Sequence, residues 1–312
     1  MANNFQAKDN IDHITVCICT FKRPLALAEL LLSLKNQFTG GRFTYNIVVV
    51  DNDSCGSAKK VVNKFIIDHE LDIVYTVEEK QNIALARNKS VLNSKGNFIA
   101  FIDDDELPNS KWLYDLFLAI NKYNVDGLLG PVCPKYEIEP PKWVTRGELF
   151  DRPRHKTGHL LKWKDTRTGN VLIRKKVFEE SPDWFREEFG SGGEDRDFFK
   201  RKMEEGFKFA WCNEAVVLER VPPKRWQLNV QIKRALIRGR TAANYSSDRT
   251  KTIVMSALAI LSYGFSWPIL FLLSPLIGYE NFFKYFVAFF DHLGKLLAFF
   301  KIDLIKEKYI VT

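Results

Sequence analysis

The chain has 312 residues, 46% of them hydrophobic and 27% charged, with a formal net charge of +8. That is enough for one α/β domain of roughly 200–250 residues with a smaller appendage, and the ordinary apolar content excludes a chain too polar to form a core. Cys17, Cys19, Cys55, Cys133 and Cys212 form no CxxC pair, and the opening from Met1 to Asp12 is polar, so reduced cytosolic thiols are expected rather than a disulfide framework.

The first hundred residues alternate strand and helix. Ile14–Thr20 (ITVCICT) is a β-branched run, and Pro24 opens a helix with Leu27, Leu30, Leu31, Leu34 and Phe38 on one face. Asn46–Val50 (NIVVV) predicts a buried strand ending at Asp51. Ser57–His69 follows as an amphipathic helix, Asp72–Val77 as a strand, and Ile83–Lys95 as a helix stopped by Gly96. Asn97–Ile102 (NFIAFI) is a fourth strand and runs into Asp103-Asp104-Asp105. This order implies an α/β, mostly parallel, doubly wound sheet. Ligands of such sheets bind beyond the carboxyl ends of the strands, where Thr20, Asp51 and Asp103 fall.

Further along, Ser110 is placed to cap a helix reaching Tyr123, and a Pro- and Trp-containing loop runs from Pro131 to Lys164. Asn170–Arg174 reads as a strand, Glu194–Glu205 as a helix closed by Gly206, and Phe207–Cys212 and Val216–Glu219 as short strands. Arg225–Tyr245 reads as a basic helix. Residues 224–251 hold Lys224, Arg225, Lys233, Arg234, Arg238, Arg240, Arg249 and Lys251 against Asp248 alone, a cluster suited to phosphates. From Ile253 to Tyr279 there are 27 residues without a charge, more than the ~20 needed to cross a bilayer. Gly264, Ser266 and Pro268 are expected to split this stretch into a re-entrant or surface-lying hairpin. Phe282–Phe300, with Lys284, Asp291, His292 and Lys295 interspersed, then suits an interfacial helix, and the Lys301–Lys308 tail adds only a small positive bias.

Asp103-Asp104-Asp105-Glu106 is the strongest chemical signal. Adjacent acids after an apolar strand repel one another unless a cation sits among them, and Mg²⁺ or Mn²⁺ takes carboxylate oxygens while keeping positions for phosphates. A solvated acidic turn is the alternative. The second signal is Ser191-Gly192-Gly193-Glu194-Asp195, where glycines permit close approach and the acids open a helix. A carboxylate held there can act as general base for a hydroxyl. His155 and His159 are four apart but lie in a loop, and read as surface histidines. Trp143, Trp163, Trp184 and Trp211 read as loop or core anchors, with Trp211 the one placed to stack on a sugar.

CTFKRP at 19–24, VVVDNDS at 48–54, NIALARNKSV at 82–91, FIDDDELP at 101–108 and GGEDRDFFKR at 192–201 occur in the order found in family 2 glycosyltransferases with a GT-A fold. The resemblance covers about residues 14–245. It is nearest to bacterial exopolysaccharide glucosyltransferases of the succinoglycan type, including a VPP at Val221–Pro223 before an Arg-rich helix. The resemblance implies a Rossmann-like catalytic domain over 1–223, with a nucleotide-sugar half at about 14–108 and an acceptor half at 109–223. A basic helix over 224–252 and a membrane-associated region over 253–312 complete the division. It also implies that Thr20, Phe21, Arg23, Asp51, Asn82, Arg87, Asp103 and Asp104 hold the nucleotide-sugar, and that Asp105, with Asp103, binds Mg²⁺ or Mn²⁺. Asp195 is the implied base with Glu194 as fallback, while Gly193, Trp211, Arg225 and Trp226 serve the acceptor and diphosphate. No histidine lies near Glu219, where some relatives place a third metal ligand, and the full glutamine-containing Arg-Trp motif of processive synthases is absent.

The expected reaction is an inverting transfer from a nucleotide-sugar, a UDP-sugar by resemblance, to a lipid-linked saccharide at the cytoplasmic face of the plasma membrane. An anionic membrane surface is an expected partner and nucleic acid is not. A nucleotidyltransferase would want a glycine-rich basic loop where CTFKRP stands, and a noncatalytic membrane-associated binding module would have no need of both acidic motifs.

Overall fold

In the strand Phe43–Asp51, Ile47 and Val49 enter one apolar cluster while Val48 and Val50 enter another, so successive side chains feed opposite faces of a sheet covered on both sides. A computed structural model describes residues 11–179, 184–190, 192–246 and 248–305. Ser191 and the 306–308 end of the lysine-bearing tail, named above, lie outside the described residues.

In chain order the elements are β1 (Asp12–Thr20), α1 (Pro24–Leu34), β2 (Phe43–Asp51), α2 (Lys59–His69), β3 (Ile73–Val77), α3 (Ile83–Leu92), β4 (Phe98–Phe101), β5 (Glu106–Pro108), α4 (Trp112–Tyr123) and β6 (Gly127–Leu129). There follow β7 (Val132–Tyr136), α5 (Lys142–Arg146), β8 (Val171–Arg174), α6 (Glu194–Glu204), β9 (Phe209–Trp211), β10 (Val217–Val221), α7 (Leu228–Ala243), α8 (Arg249–Ile277) and α9 (Tyr279–Phe299).

The chain forms two compact units. The first comprises Met1–Val132, Pro153–Gly190 and Glu194–Glu219, and the second Cys133–Arg152, Ser191–Gly193 and Arg220–Thr312. The first unit contains a seven-stranded sheet in the order β3-β2-β1-β4-β8-β6-β9. Strands β1 to β4 are mutually parallel, whereas β8 runs antiparallel to both β4 and β6. This is the expected mostly parallel α/β sheet, with one reversed strand that local periodicity does not signal.

Local chemistry fixes the helix ends. Pro24 stands at the first turn of α1, whose buried Leu27, Leu30, Leu31 and Leu34 repeat at helical spacing. The helix stops at Leu34, so Phe38 lies beyond it and packs edge-on to Tyr114 at 4.9 Å. Asn82 caps α3, its side-chain oxygen accepting the N–H groups of Ala84 and Leu85 at 2.9 and 3.2 Å. The expected Ser110 cap of α4 is not formed. Lys111 precedes the helix without a side-chain cap, and Asn109 Oδ1 accepts the Lys111 N–H instead.

In the second unit two sequence expectations are corrected. The Arg225–Tyr245 stretch is broken: Pro223–Trp226 forms a 3₁₀ turn and α7 begins only at Leu228, because the proline pair ahead of it favours a tight turn. The apolar stretch is not split at 264–268, since α8 runs unbroken for 29 residues through Gly264, Pro268 and Pro275. Pro268 removes one N–H donor, yet rings of α9 brace the helix on both sides of it: Tyr263 on Tyr285, Trp267 on Phe286 and Phe271 on Phe282, at 5.7, 5.3 and 5.2 Å. Among the described residues α8 is the one helix long and apolar enough to cross a membrane by length and composition, with a mean hydropathy of 1.7 over its most apolar window. The basic cluster is partly neutralised within its own unit: Arg238 pairs with Asp291 at 3.1 Å and Arg240 with Asp303 at 2.7 Å.

Candidate active site

The acids that follow β4 form a closed turn. The Glu106 N–H donates to the Asp103 carbonyl, and the Asp103 N–H donates back to Glu106 Oε2, both at 3.1 Å. Gly169 lies directly against this loop; a Cβ there would sit 2.7 Å from Glu106 Oε1 and 3.0 Å from Asp103 Oδ2, so only glycine fits without displacing the carboxylates. The ends of β1 and α1 supply the partners of the middle acid. Thr20 Oγ donates to Asp104 at 2.7 Å, and the Arg23 guanidinium reaches Asp104 at 3.0 Å and Asp105 at 3.2 Å. Thr20 and Arg23 thus meet the acidic turn itself, and Asp104 is consumed by them.

Arg87, on α3, is the pivotal cation. It ion-pairs with Glu194 at the start of α6 and lies 3.5 Å from Asp103, while its guanidinium sits over the Phe185 ring at 6.0 Å. One guanidinium therefore joins the acidic turn to the second acidic motif, whose Glu194 lies 107 residues beyond Arg87 in the chain. Glu194 is buried, and its Oε2 has no hydrogen-bond partner among the described residues. Its neighbour Asp195 is partly exposed and accepts the Arg196 N–H at 2.7 Å. The two neighbouring acids thus differ in environment: Glu194 is buried against Arg87, and Asp195 is partly exposed.

Charge in the turn is heavily negative. Burial, reinforced by Asp103 and Glu219, pushes the Glu106 carboxyl well above the usual carboxylate range. Burial also raises Asp105 to about 6 against the pull of Arg23, with Asp104, Glu219 and Asp103 adding to the rise. Asp104 is raised by burial too, opposed by Arg23 and Thr20. Glu219 is the residue that sequence reasoning missed. It stands opposite Glu106 in the antiparallel β5–β10 ladder and is buried between Val217 and Val221. The signal was available: an acid at an inward position of VLERV.

Several expected ligand residues are already engaged. Asp51 is fully buried, accepting the Asp53 and Ala58 N–H groups at 3.1 and 2.7 Å and the Tyr75 hydroxyl at 3.0 Å. Asn82 caps α3 and donates to the Glu187 carbonyl at 2.9 Å, and Phe21 lies under the Lys22 ammonium at 5.2 Å. Trp211, expected at the acceptor, is enclosed in the core at the end of β9 with 1% exposure. His155 and His159 stack as parallel rings 4.6 Å apart in a loop. In the second unit, the Gly193 carbonyl accepts the Tyr245 hydroxyl. Arg225 is buried over Phe150 and donates to the Arg220 carbonyl at 3.0 Å, and Trp226 packs edge-on to Tyr136 at 6.0 Å. Among the described residues no three His, Cys, Asp or Glu side chains stand together in position to hold a metal ion.

The chain has counterparts among known proteins. The family model described as Glycosyl transferase family 2 matches residues 15–181. The chain belongs to this family. It is 34% identical over 241 residues to the succinoglycan biosynthesis protein ExoM of Rhizobium meliloti, covering 76% of each chain. It is 26% identical over 245 residues to the hyaluronan synthase of Pasteurella multocida, a match covering 67% of this chain and 25% of that longer one. Among solved structures, the crystal structure of S. aureus TarS 1-349 in complex with UDP superposes with a TM-score of 0.51 at 16% identity, covering 94% of each chain. The fold is thus the GT-A fold that the sequence resemblance implied, and the chain is a family 2 glycosyltransferase with relatives in exopolysaccharide and polysaccharide synthesis.

Proposed function

We propose that this glycosyltransferase inverts the anomeric centre of a UDP-sugar in transferring the sugar to a lipid-linked saccharide at the cytoplasmic face of a membrane, where nucleotide-sugars are made. The observation that carries the reading is the Arg87 bridge, which ties the acids suited to a donor diphosphate to the helix that carries Asp195. The similarity to ExoM and the fold likeness to a UDP-bound TarS support the donor class. We assign the chemistry to residues 1–223, the donor half at about 14–108 and the acceptor half at 109–223, and membrane association to 253–312 preceded by the basic segment 224–252.

The donor set fits a hard divalent cation. Asp103 and Asp105 offer carboxylate oxygens with side chains 51% and 20% exposed, whereas Asp104 is 6% exposed and takes both the Thr20 hydroxyl and Arg23. Asp103 and Asp105 would hold Mg²⁺ or Mn²⁺, which when bound supplies positive charge to the leaving diphosphate. Arg23 and Arg87 hold the acids in place around it, and Asp104 keeps Arg23 oriented. Asp195 accepts the proton of the acceptor hydroxyl as its oxygen forms a bond to the anomeric carbon and the bond to the diphosphate breaks. A single displacement of this kind inverts the configuration. Glu194, neutralised by Arg87, fixes the first turn of α6 beneath Asp195.

A panel of nucleotide-sugars with Mn²⁺ or Mg²⁺, scored for released nucleoside diphosphate and for the anomeric configuration of the product, tests this reading. Product of retained configuration, or release undiminished by excess chelator, sinks the mechanism.

A further inference from the structure

We infer that α8 lies in the plane of a lipid leaflet as a one-sided anchor and does not cross the bilayer, its outer stripe occupied by acyl chains. The inference rests on the membrane reading above and deepens it. At 29 residues α8 is about 43 Å long, so length alone permits a crossing of the ~30 Å hydrocarbon layer. Its partner decides otherwise.

After Gly278 the chain returns as α9 along the whole of α8. Phe271 meets Phe282 at 5.2 Å near the turn, Trp267 meets Phe286 at 5.3 Å, Tyr263 meets His292 at 5.8 Å, and His292 Nδ1 lies 3.2 Å from Ser256 Oγ. The two helices therefore share one depth and tilt. Charges occur along the length of α9, at Glu280, Lys284, Asp291 and Lys295. Its other flank is mounted on the basic helix α7. A Cβ on Gly239 would overlap the Asp291 carbonyl and one on Gly294 the Leu236 carbonyl, so the two main chains touch. Arg238 forks onto both oxygens of Asp291 at 3.1 Å. A crossing α8 would carry these charges into hydrocarbon with it, a costly arrangement.

The exposed side of α8 matches the flat geometry. Val254, Leu258, Leu261, Phe265, Leu272 and Leu276 are 51–85% exposed, and their spacing places them on one stripe opposite Ser256, Tyr263 and Trp267. Exposed Lys251 continues the stripe at the helix start, where its ammonium suits anionic headgroups. No acid occurs from Arg249 to Ile277.

The full chain with Cys55→Ser, carrying a nitroxide on Leu258→Cys, Phe265→Cys or Leu272→Cys in turn, is bound to vesicles of phosphatidylcholine and phosphatidylglycerol. Spin-label relaxation by oxygen and by a water-soluble nickel chelate then reports depth. The expected result is the same shallow depth at all three positions, about 5–10 Å below the headgroups. A crossing helix instead separates positions 258 and 272 by about 21 Å, and such a gradient overturns the inference while leaving the membrane reading intact. No vesicle binding, with the labels shielded in a soluble dimer, overturns the membrane reading itself. Phe265→Glu with Leu272→Glu should weaken vesicle binding at least ten-fold with UDP binding retained; unaltered vesicle binding also counts against the inference.

Discussion

Replacing Arg87 by methionine isolates the contact on which the proposed site depends. The Arg87 and Glu194 side chains are 9% and 5% exposed, so the substitution strands a buried carboxylate, one oxygen of which has no hydrogen-bond partner among the described residues. Removing one member of a buried pair costs about 3–5 kcal/mol, and losing the guanidinium over Phe185 adds about 0.5–1 kcal/mol. Against a typical total of 5–15 kcal/mol, the variant loses about a quarter or more of its stability. With a urea slope of about 1–3 kcal/mol/M, the unfolding midpoint falls by about 1 M or more. Arg87→Met combined with Glu194→Leu should recover most of that loss, because an apolar pair of similar volume is often neutral relative to a buried ion pair. Turnover should stay low in the double variant, since Asp103 has lost its cation. The assay is urea unfolding of wild type, both single variants and the double, analysed as a cycle. A coupling energy below about 0.5 kcal/mol, or an Arg87→Met variant within about 1 kcal/mol of wild type, would falsify the bridge.

Asp195→Asn should lower turnover by roughly 10²–10⁴-fold with donor affinity nearly intact; collapse of donor binding in calorimetry would make Asp195 a binding residue instead. Asp105→Asn should abolish most activity and weaken UDP binding only when Mn²⁺ or Mg²⁺ is present, so equal UDP affinity with and without metal in wild type argues against the ligand assignment. Asn82→Ala removes the α3 cap and should cost about 0.5–2 kcal/mol in urea unfolding, and an unchanged midpoint would show the cap to be unimportant. Trp211→Phe should leave the acceptor KM unaltered, because the ring is enclosed in the core; a raised KM with normal stability would restore it to the sugar site.

The parallel half of the sheet was legible because β1 and β2 are rich in β-branched residues and β4 is a short buried apolar run. The reversed strand β8 was legible as a strand but not in its direction, which its pairing with β4 and β6 decides. The acidic turn and the Gly-Gly-Glu-Asp motif stood out in sequence, yet the difference between Glu194 and Asp195 did not. It arises from Arg87, 107 residues away, and no local pattern reports such a pairing. Asn82 and Asp51 illustrate the same limit from the other side: their motifs suggested ligand contacts, while their hydrogen bonds bind them to α3 and to the β2–α2 turn. The unbroken course of α8 was hidden because prolines break helices locally, whereas the rings that pack beside Pro268 come from the returning helix α9.

The contact of α7 with α9 at Gly239 and Gly294 is made by main chain rather than by side chains. The mounting of the helical pair is therefore insensitive to what the exposed stripe of α8 carries. Leu258, Leu261 or Leu276 can be exchanged for other apolar residues, retuning the surface to a different lipid composition, without moving the frame beneath. A single methyl group at either glycine would do the opposite: it would leave the stripe chemically intact and shift the whole mount.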